Sequence, residues 1–292
     1  MLRQDDLLLI FGLGYSGSAG AQAALAAGMA VVATSRDPAR VAAPLGVTCI
    51  AFDAARSSIA AATHLLATAP PEPAGDPALL RYAEDIEDAP RLRWIGYFST
   101  TGVYGDRAGE WVDETTPAAP ASSRTRRRME AEAAWSAVAP GGPVDLFRLA
   151  GIYGPGRSAV DDVRAGTARR IVKPGHCFGR IHRDDIAAAV LAAMRQDRPP
   201  GPRVLNLADD APEETAHVVE EAARLLGVPP PPPVPFAEAW EAMSPMARSF
   251  WSENRKVASR NTQAALGITW RYPSYREGLR AILAEQAGQG LA

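Results

Sequence analysis

Along the first half of the chain, apolar runs of strand length alternate with alanine-rich stretches: "LLLIFG", "QAALAAG", "AVVATS", "VTCIAFD", "THLLATA", "LRWIGYFST" and "VDLFRLAG". The strand-length runs show little polar alternation, the pattern of strands buried on both faces. Helical stretches between them imply crossover connections, and so an α/β fold with a Rossmann-type, doubly wound parallel sheet. After "GIYGPGR" (Gly151 to Arg157) the pattern becomes irregular. "IHRDDIAAAVLAAMRQ" predicts a helix capped by Asp184 or Asp185, "RVLNLAD" a further strand, and "EETAHVVEEAARLLG" another helix. "VPPPPPVP" reads as a polyproline-like connector. The last stretch predicts a short helix ending near Gly267 and a final helix after Pro273. The expected organisation is a dinucleotide-type domain over 1–154, its sheet completed by 181–208, and a smaller substrate lobe over 155–292.

Composition narrows the function classes. A hydrophobic fraction of 47%, 22% charged residues and a net charge of -2 over 292 residues describe an ordinary globular chain, not a nucleic-acid or membrane-surface binder. A small molecule is the expected partner. Cys49 and Cys177 have no metal-site or disulfide spacing, and "MLRQDD" running into "LLLIFG" fits neither a signal peptide nor a membrane span. A soluble protein of the reducing cytoplasm is therefore expected, with no resident metal. His64, His176, His182 and His217 are scattered and read as structural.

Gly12, Gly14 and Gly17 stand in Gly-x-Gly-x-x-Gly spacing between an apolar strand and a helical run. Gly12 suits a tight turn, Gly14 lets backbone approach a pyrophosphate, and Gly17 allows close helix packing; N–H groups of the first helical turn, at Tyr15 and Ser16, would meet the phosphates. The second strand ends in Thr34, Ser35 and Arg36, where an NAD reader would place an acidic side chain. A guanidinium matches the oxygens of a 2'-phosphate, so NADP is favoured over NAD, with Ser35 and Arg36 as its readers. Asp53 closes the third strand as a candidate adenine contact.

Taken with "STTGVYG", "RLAGIYGPGR", "IHRDDIAAAV" and "ALGITWRYPSYREGL", in that order over nearly the whole chain, this loop resembles the extended short-chain dehydrogenase/reductase family, the NAD-dependent epimerase/dehydratases. The resemblance implies a cofactor lying across the strand ends, with Thr68, Ala69 and Ser99 beside it, a smaller lobe covering the substrate, and pairing into a homodimer as a possibility. It puts Thr100, three residues before the Val of "VYG", at the substrate oxygen, with Thr101 and Tyr104 in the same loop. Lys173, Arg180, Trp251 and Arg255 fall where relatives line the substrate pocket.

The family's proton chemistry uses a Tyr-x-x-x-Lys pair, in which the lysine cation lowers the tyrosine pKa. None of the seven tyrosines here has a lysine four residues on, and alignment on Arg128-x-x-x-Glu132 puts Arg124 in the tyrosine position and Arg128 in the lysine position. Arginine stays protonated, so Arg124 cannot serve as the acid; it suits an anion instead, while Arg128 could hold the cofactor ribose. The expectation is an atypical NADP-dependent oxidoreductase or epimerase acting on a small hydroxyl or carbonyl compound or a nucleotide-linked one. A non-catalytic NADP(H) sensor or scaffold is the alternative, and the missing pair is its argument.

Overall fold

The computed structural model describes residues 2–3, 5–138 and 141–289. Seven strands form its sheet: β1 (Leu7–Phe11), β2 (Ala30–Ser35), β3 (Val47–Ala51), β4 (His64–Ala67), β5 (Trp94–Thr100), β6 (Pro143–Leu149) and β7 (Gly201–Leu207). All pair in parallel, in the order β3-β2-β1-β4-β5-β6-β7. The order reverses between β1 and β4, and a crevice opens outside the carboxyl ends of a doubly wound sheet at such a point.

Successive residues of each strand feed opposite layers. Leu8 and Ile10 of β1 pack with Leu66, Phe98 and Phe147 on one face, while Leu9 and Phe11 pack with Leu65, Ile95 and Tyr97 on the other. The first layer is covered by α1 (Tyr15–Ala26) and by the helix Arg183–Met194, the second by α2 (Arg56–Ala61), α3 (Pro77–Glu87) and α4 (Ser123–Ala137). Both faces being covered explains why the strands read as continuous apolar runs.

The later chain builds a second lobe around Tyr153, Val160, Val218, Tyr275, Leu279 and Ile282, with a satellite of Ile171, Met243 and Trp251. Its helices include α5 (Ala159–Arg164), then, after the sheet-packed α6 (Arg183–Met194), α7 (Thr215–Leu226), the short helices Phe236–Glu241 and Pro245–Trp251 and the terminal helix Tyr275–Gln289, while Arg260–Leu266 returns to the sheet's first layer. Gly227 and Gly267 end two of these in the left-handed conformation. Among the described residues no helix is long and apolar enough to cross a membrane.

Two local expectations are corrected. The cap of α6 is His182, whose Nδ1 accepts from the Asp184 N–H at 3.2 Å. Asp185 instead accepts from the N–H groups of Arg271 (2.7 Å) and Tyr272 (3.1 Å), tying the terminal segment down. Within the proline run, Pro233–Pro235 is a short strand paired with Arg170–Val172, an edge position where missing N–H donors are tolerated.

Candidate functional site

The chain leaves β1 through Gly12 at φ +99°, and a Cβ there would lie 2.9 Å from Thr68 Oγ1 and 3.2 Å from Ala69 N. Neighbouring strand ends hold this turn. Thr68 Oγ1 donates to the Gly12 carbonyl at 2.6 Å, and Gly12 N donates to Thr34 Oγ1 at 3.3 Å. A Cβ on Gly17 would sit 2.5 Å from the Gly12 carbonyl oxygen, so only glycine lets α1 approach this closely. Gly14, the cap of α1, faces open space, and the first turn has neither a capping side chain nor an acidic residue.

The side chains around this cradle differ in their freedom. Ser16 is buried. Tyr15 donates its hydroxyl to the Pro155 carbonyl at 3.0 Å, and its ring carries the guanidinium groups of Arg157 and Arg183 at 5.7 and 5.1 Å. At the end of β2, Ser35 Oγ accepts from Asp37 N at 3.1 Å, and Arg40 pairs with Asp37 at 3.7 Å. Arg36 is exposed and has no ion pair among the described residues. Asp53 is exposed, 3.9 Å from Arg81.

A cavity of about 320 Å³ lies at the carboxyl ends of β5 and β6, roofed by the second lobe; Thr100, Thr101, Tyr153, Arg180, Phe250 and Arg255 line it. Thr100 caps the turn Thr101–Tyr104 by accepting from Gly102 N at 3.1 Å, which leaves its own hydroxyl proton to give. Arg180 donates to the carbonyls of Phe178 (2.9 Å) and Glu213 (3.0 Å). Arg255 donates to Glu253 and to the Gly105 carbonyl, both at 2.7 Å. Burial pushes the Tyr153 hydroxyl and the Cys177 thiol upward, with the Asp209 charge adding to the shift at Tyr153. The lining has no histidine.

Among the arginines of α4, Arg124 reaches the cavity edge, against the lining residue Phe250. A capping box between Ser122 and Thr125 starts the helix. Arg124 lies 4.5 Å above the Phe250 ring, and burial pulls its pKa down, with the Glu253 charge opposing the shift. Arg128 donates to the Phe98 carbonyl (2.7 Å) and the Tyr97 hydroxyl (3.0 Å). One turn further on, Glu132 accepts from Arg148 at 2.7 and 3.1 Å and from the Ser99 hydroxyl at 2.5 Å, all in the interior.

The structure thus gathers Thr100, Thr101 and Arg180 in one cavity with Arg124 at its edge, and Gly12, Gly14, Tyr15, Ser16, Gly17, Thr68 and Ala69 around the glycine loop. Four residues lie elsewhere. Ser99 is buried on Glu132. Tyr104 is fully buried beneath the cavity, giving its hydroxyl to Asn206 at 2.8 Å. Lys173 is outside the cavity, donating to the Trp251 carbonyl at 2.6 Å, and Trp251 packs on His176 and Phe178. Phe250 and Glu253 also line the cavity; the signal for them in the sequence is the polar run Trp251–Arg260, which contains Glu253 and directly follows Phe250.

No family model matches the chain. Protein YeeZ of Escherichia coli is 33% identical over 160 residues, 54% of this chain and 56% of that protein. A 3-diazoavenalumate denitrifying reductase of Streptomyces is 29% identical over 185 residues, 61% and 58% of the two chains. The chain thus spans little more than half the length of these curated relatives. A conserved protein of unknown function from Silicibacter pomeroyi is 43% identical over 96% of this chain and 99% of its own, with a TM-score of 0.88. The human epimerase family protein SDR39U1, solved with NADPH, shares the fold at 21% identity and a TM-score of 0.73, covering 94% and 98%. The chain therefore belongs to one family with the Silicibacter pomeroyi protein, and that family is built on the fold of the extended short-chain dehydrogenase/reductases, the NAD-dependent epimerase/dehydratases.

Proposed function

We propose that this protein binds NADP(H) across the ends of β1, β2 and β4 and carries out oxidation or reduction of a small hydroxyl or carbonyl compound in the cavity beside Thr100. The glycine cradle carries the reading: its turn, its close helix approach and the open side at Gly14 leave an uncapped helix start facing outward, which suits a pyrophosphate. The unpaired Arg36 suits a 2'-phosphate. SDR39U1 with NADPH and the Streptomyces reductase support the same class by analogy of fold and partial sequence.

A bound nicotinamide would supply hydride donor or acceptor chemistry. The chain's own residues orient and exclude. Thr100 has a proton to give to a substrate oxygen, and Arg124, a fixed cation, holds an anionic group or a developing oxyanion without moving a proton. Arg128, anchored on Phe98 and Tyr97, stands where the family's lysine would. Burial raises the pKa of the Tyr153 hydroxyl and the Cys177 thiol, so neither is poised as a phenolate or thiolate base. A cavity of about 320 Å³ is at the small end of ligand pockets, which favours a small compound over a nucleotide-linked one.

The test is a fluorescence titration with NADPH and NADH. Arg36→Ala should weaken NADPH by roughly tenfold or more, since a charge-assisted hydrogen bond contributes about 1.5–3 kcal/mol, and should barely affect NADH. Equal losses would remove the NADP preference, and absence of NADPH binding would sink the whole reading. A second reading, an NADP(H)-binding sensor without turnover, is favoured by the absence of a Tyr-x-x-x-Lys pair from the sequence. Tight NADPH binding with no oxidation across a panel of small aldehydes, ketones and keto acids would select it.

A further inference from the structure

We propose that the crevice between α5, α7 and the terminal helix is a second binding site, for a small phosphate-bearing anion. This crevice encloses about 630 Å³. Arg157, Arg169 and Arg180 line it against a single carboxylate, Asp162, and among the described residues none of the three arginines has a carboxylate partner within 4 Å. Asp209 and Glu213 act on Arg180 from beyond 4 Å, so the net positive charge of the crevice rests on Arg157 and Arg169. Burial and the neighbouring Asp161 raise the Asp162 pKa, which weakens the one opposing charge in its lining.

Tyr275 adds an independent observation. It is 1% exposed, it lines the crevice, and its hydroxyl has no hydrogen-bond partner. A buried hydroxyl without a partner is costly to the fold unless a ligand satisfies it. The donors arrive from four places: the start of α5, the loop before Arg170–Val172, the strand Arg180–His182 and the terminal helix. A planar carboxylate offers two oxygens in one plane, whereas a tetrahedral phosphate can accept from several directions at once, and guanidinium groups pair with it bidentately. Ile152, Tyr153 and Arg180 also line the first cavity. The phosphate is thus either a free anion or the tail of a molecule reaching through that shared wall.

Calorimetric titration of the full chain with inorganic pyrophosphate, in low salt and with NADPH present, tests the site. Saturable binding is expected, at least tenfold weaker in Arg169→Gln and severalfold weaker in Tyr275→Phe. Arg169→Gln should keep the wild-type melting temperature and Tyr275→Phe should match or exceed it, because Arg169 is exposed and Tyr275 gives up no hydrogen bond. Phenyl phosphate binding more tightly than pyrophosphate marks the anion as the tail of an organic molecule, and the reverse order marks a free anion; both support the site. No saturable heat, displacement of pyrophosphate by NADPH, or an affinity unchanged in both variants overturns it.

Discussion

Replacing Glu132 by alanine should destabilise the protein by about 4 kcal/mol, as expected when one member of a buried ion pair is removed and the other is left as an uncompensated charge. Glu132 and Arg148 have side chains only 4% and 7% exposed, and they meet through two contacts of 2.7 and 3.1 Å. The Ser99 hydroxyl also loses its acceptor, which adds to the cost unless it turns to another group. That loss is a large part of the roughly 5–15 kcal/mol available to a typical protein. Urea unfolding should show it as a lower midpoint at unchanged slope. The double variant Glu132→Leu with Arg148→Met leaves no charge at this pair and should recover most of the loss. A single-variant cost below about 1 kcal/mol, or a double variant no better than the single, refutes the reasoning. The effect should reach the site as well, because Glu132 fixes α4 one turn beyond Arg128 against the strand that ends in Thr100.

Two further outcomes follow from single positions. Gly12→Ala puts a Cβ at a left-handed φ of +99° and 2.9 Å from Thr68 Oγ1, so stability should fall by about 1–3 kcal/mol and NADPH binding should fall with it; a variant matching wild type in both thermal melting and NADPH titration contradicts the cradle. Asp209, whose carboxyl burial pushes up to about 8 with Arg180 opposing the shift, is held as the neutral acid by the fold. Between about pH 4 and 8 the unfolded chain releases a proton that the folded chain keeps, so this residue's contribution falls as pH rises, by at most about 1.4 kcal/mol per unit. Asp209→Asn should flatten that slope in urea unfolding at pH 5 and pH 8, and parallel curves for the two proteins argue against it.

The glycine cradle and the strand order were legible because their causes are local: six residues from Gly12 to Gly17 carry the turn, the approach and the packing, and runs without polar alternation announce strands covered on both sides. The roof of the cavity was not. Arg255 reaches it by donating to the Gly105 carbonyl, 150 residues away in sequence, and no periodicity encodes such a contact. The same long-range packing acts in the opposite direction on two other residues. Tyr104 looked substrate-facing from its loop, yet Asn206, 102 residues on, takes its hydroxyl into the interior, and Lys173 looked like an anion site until the Trp251 carbonyl claimed it. Arg124 lies between these cases. Its identity was readable as a missing acid, but only the Phe250 ring beneath it places that fixed cation at the cavity edge. A cation so placed changes what the site can select: in place of a tyrosine proton for a neutral carbonyl, it offers a standing charge to a substrate that brings an anion of its own.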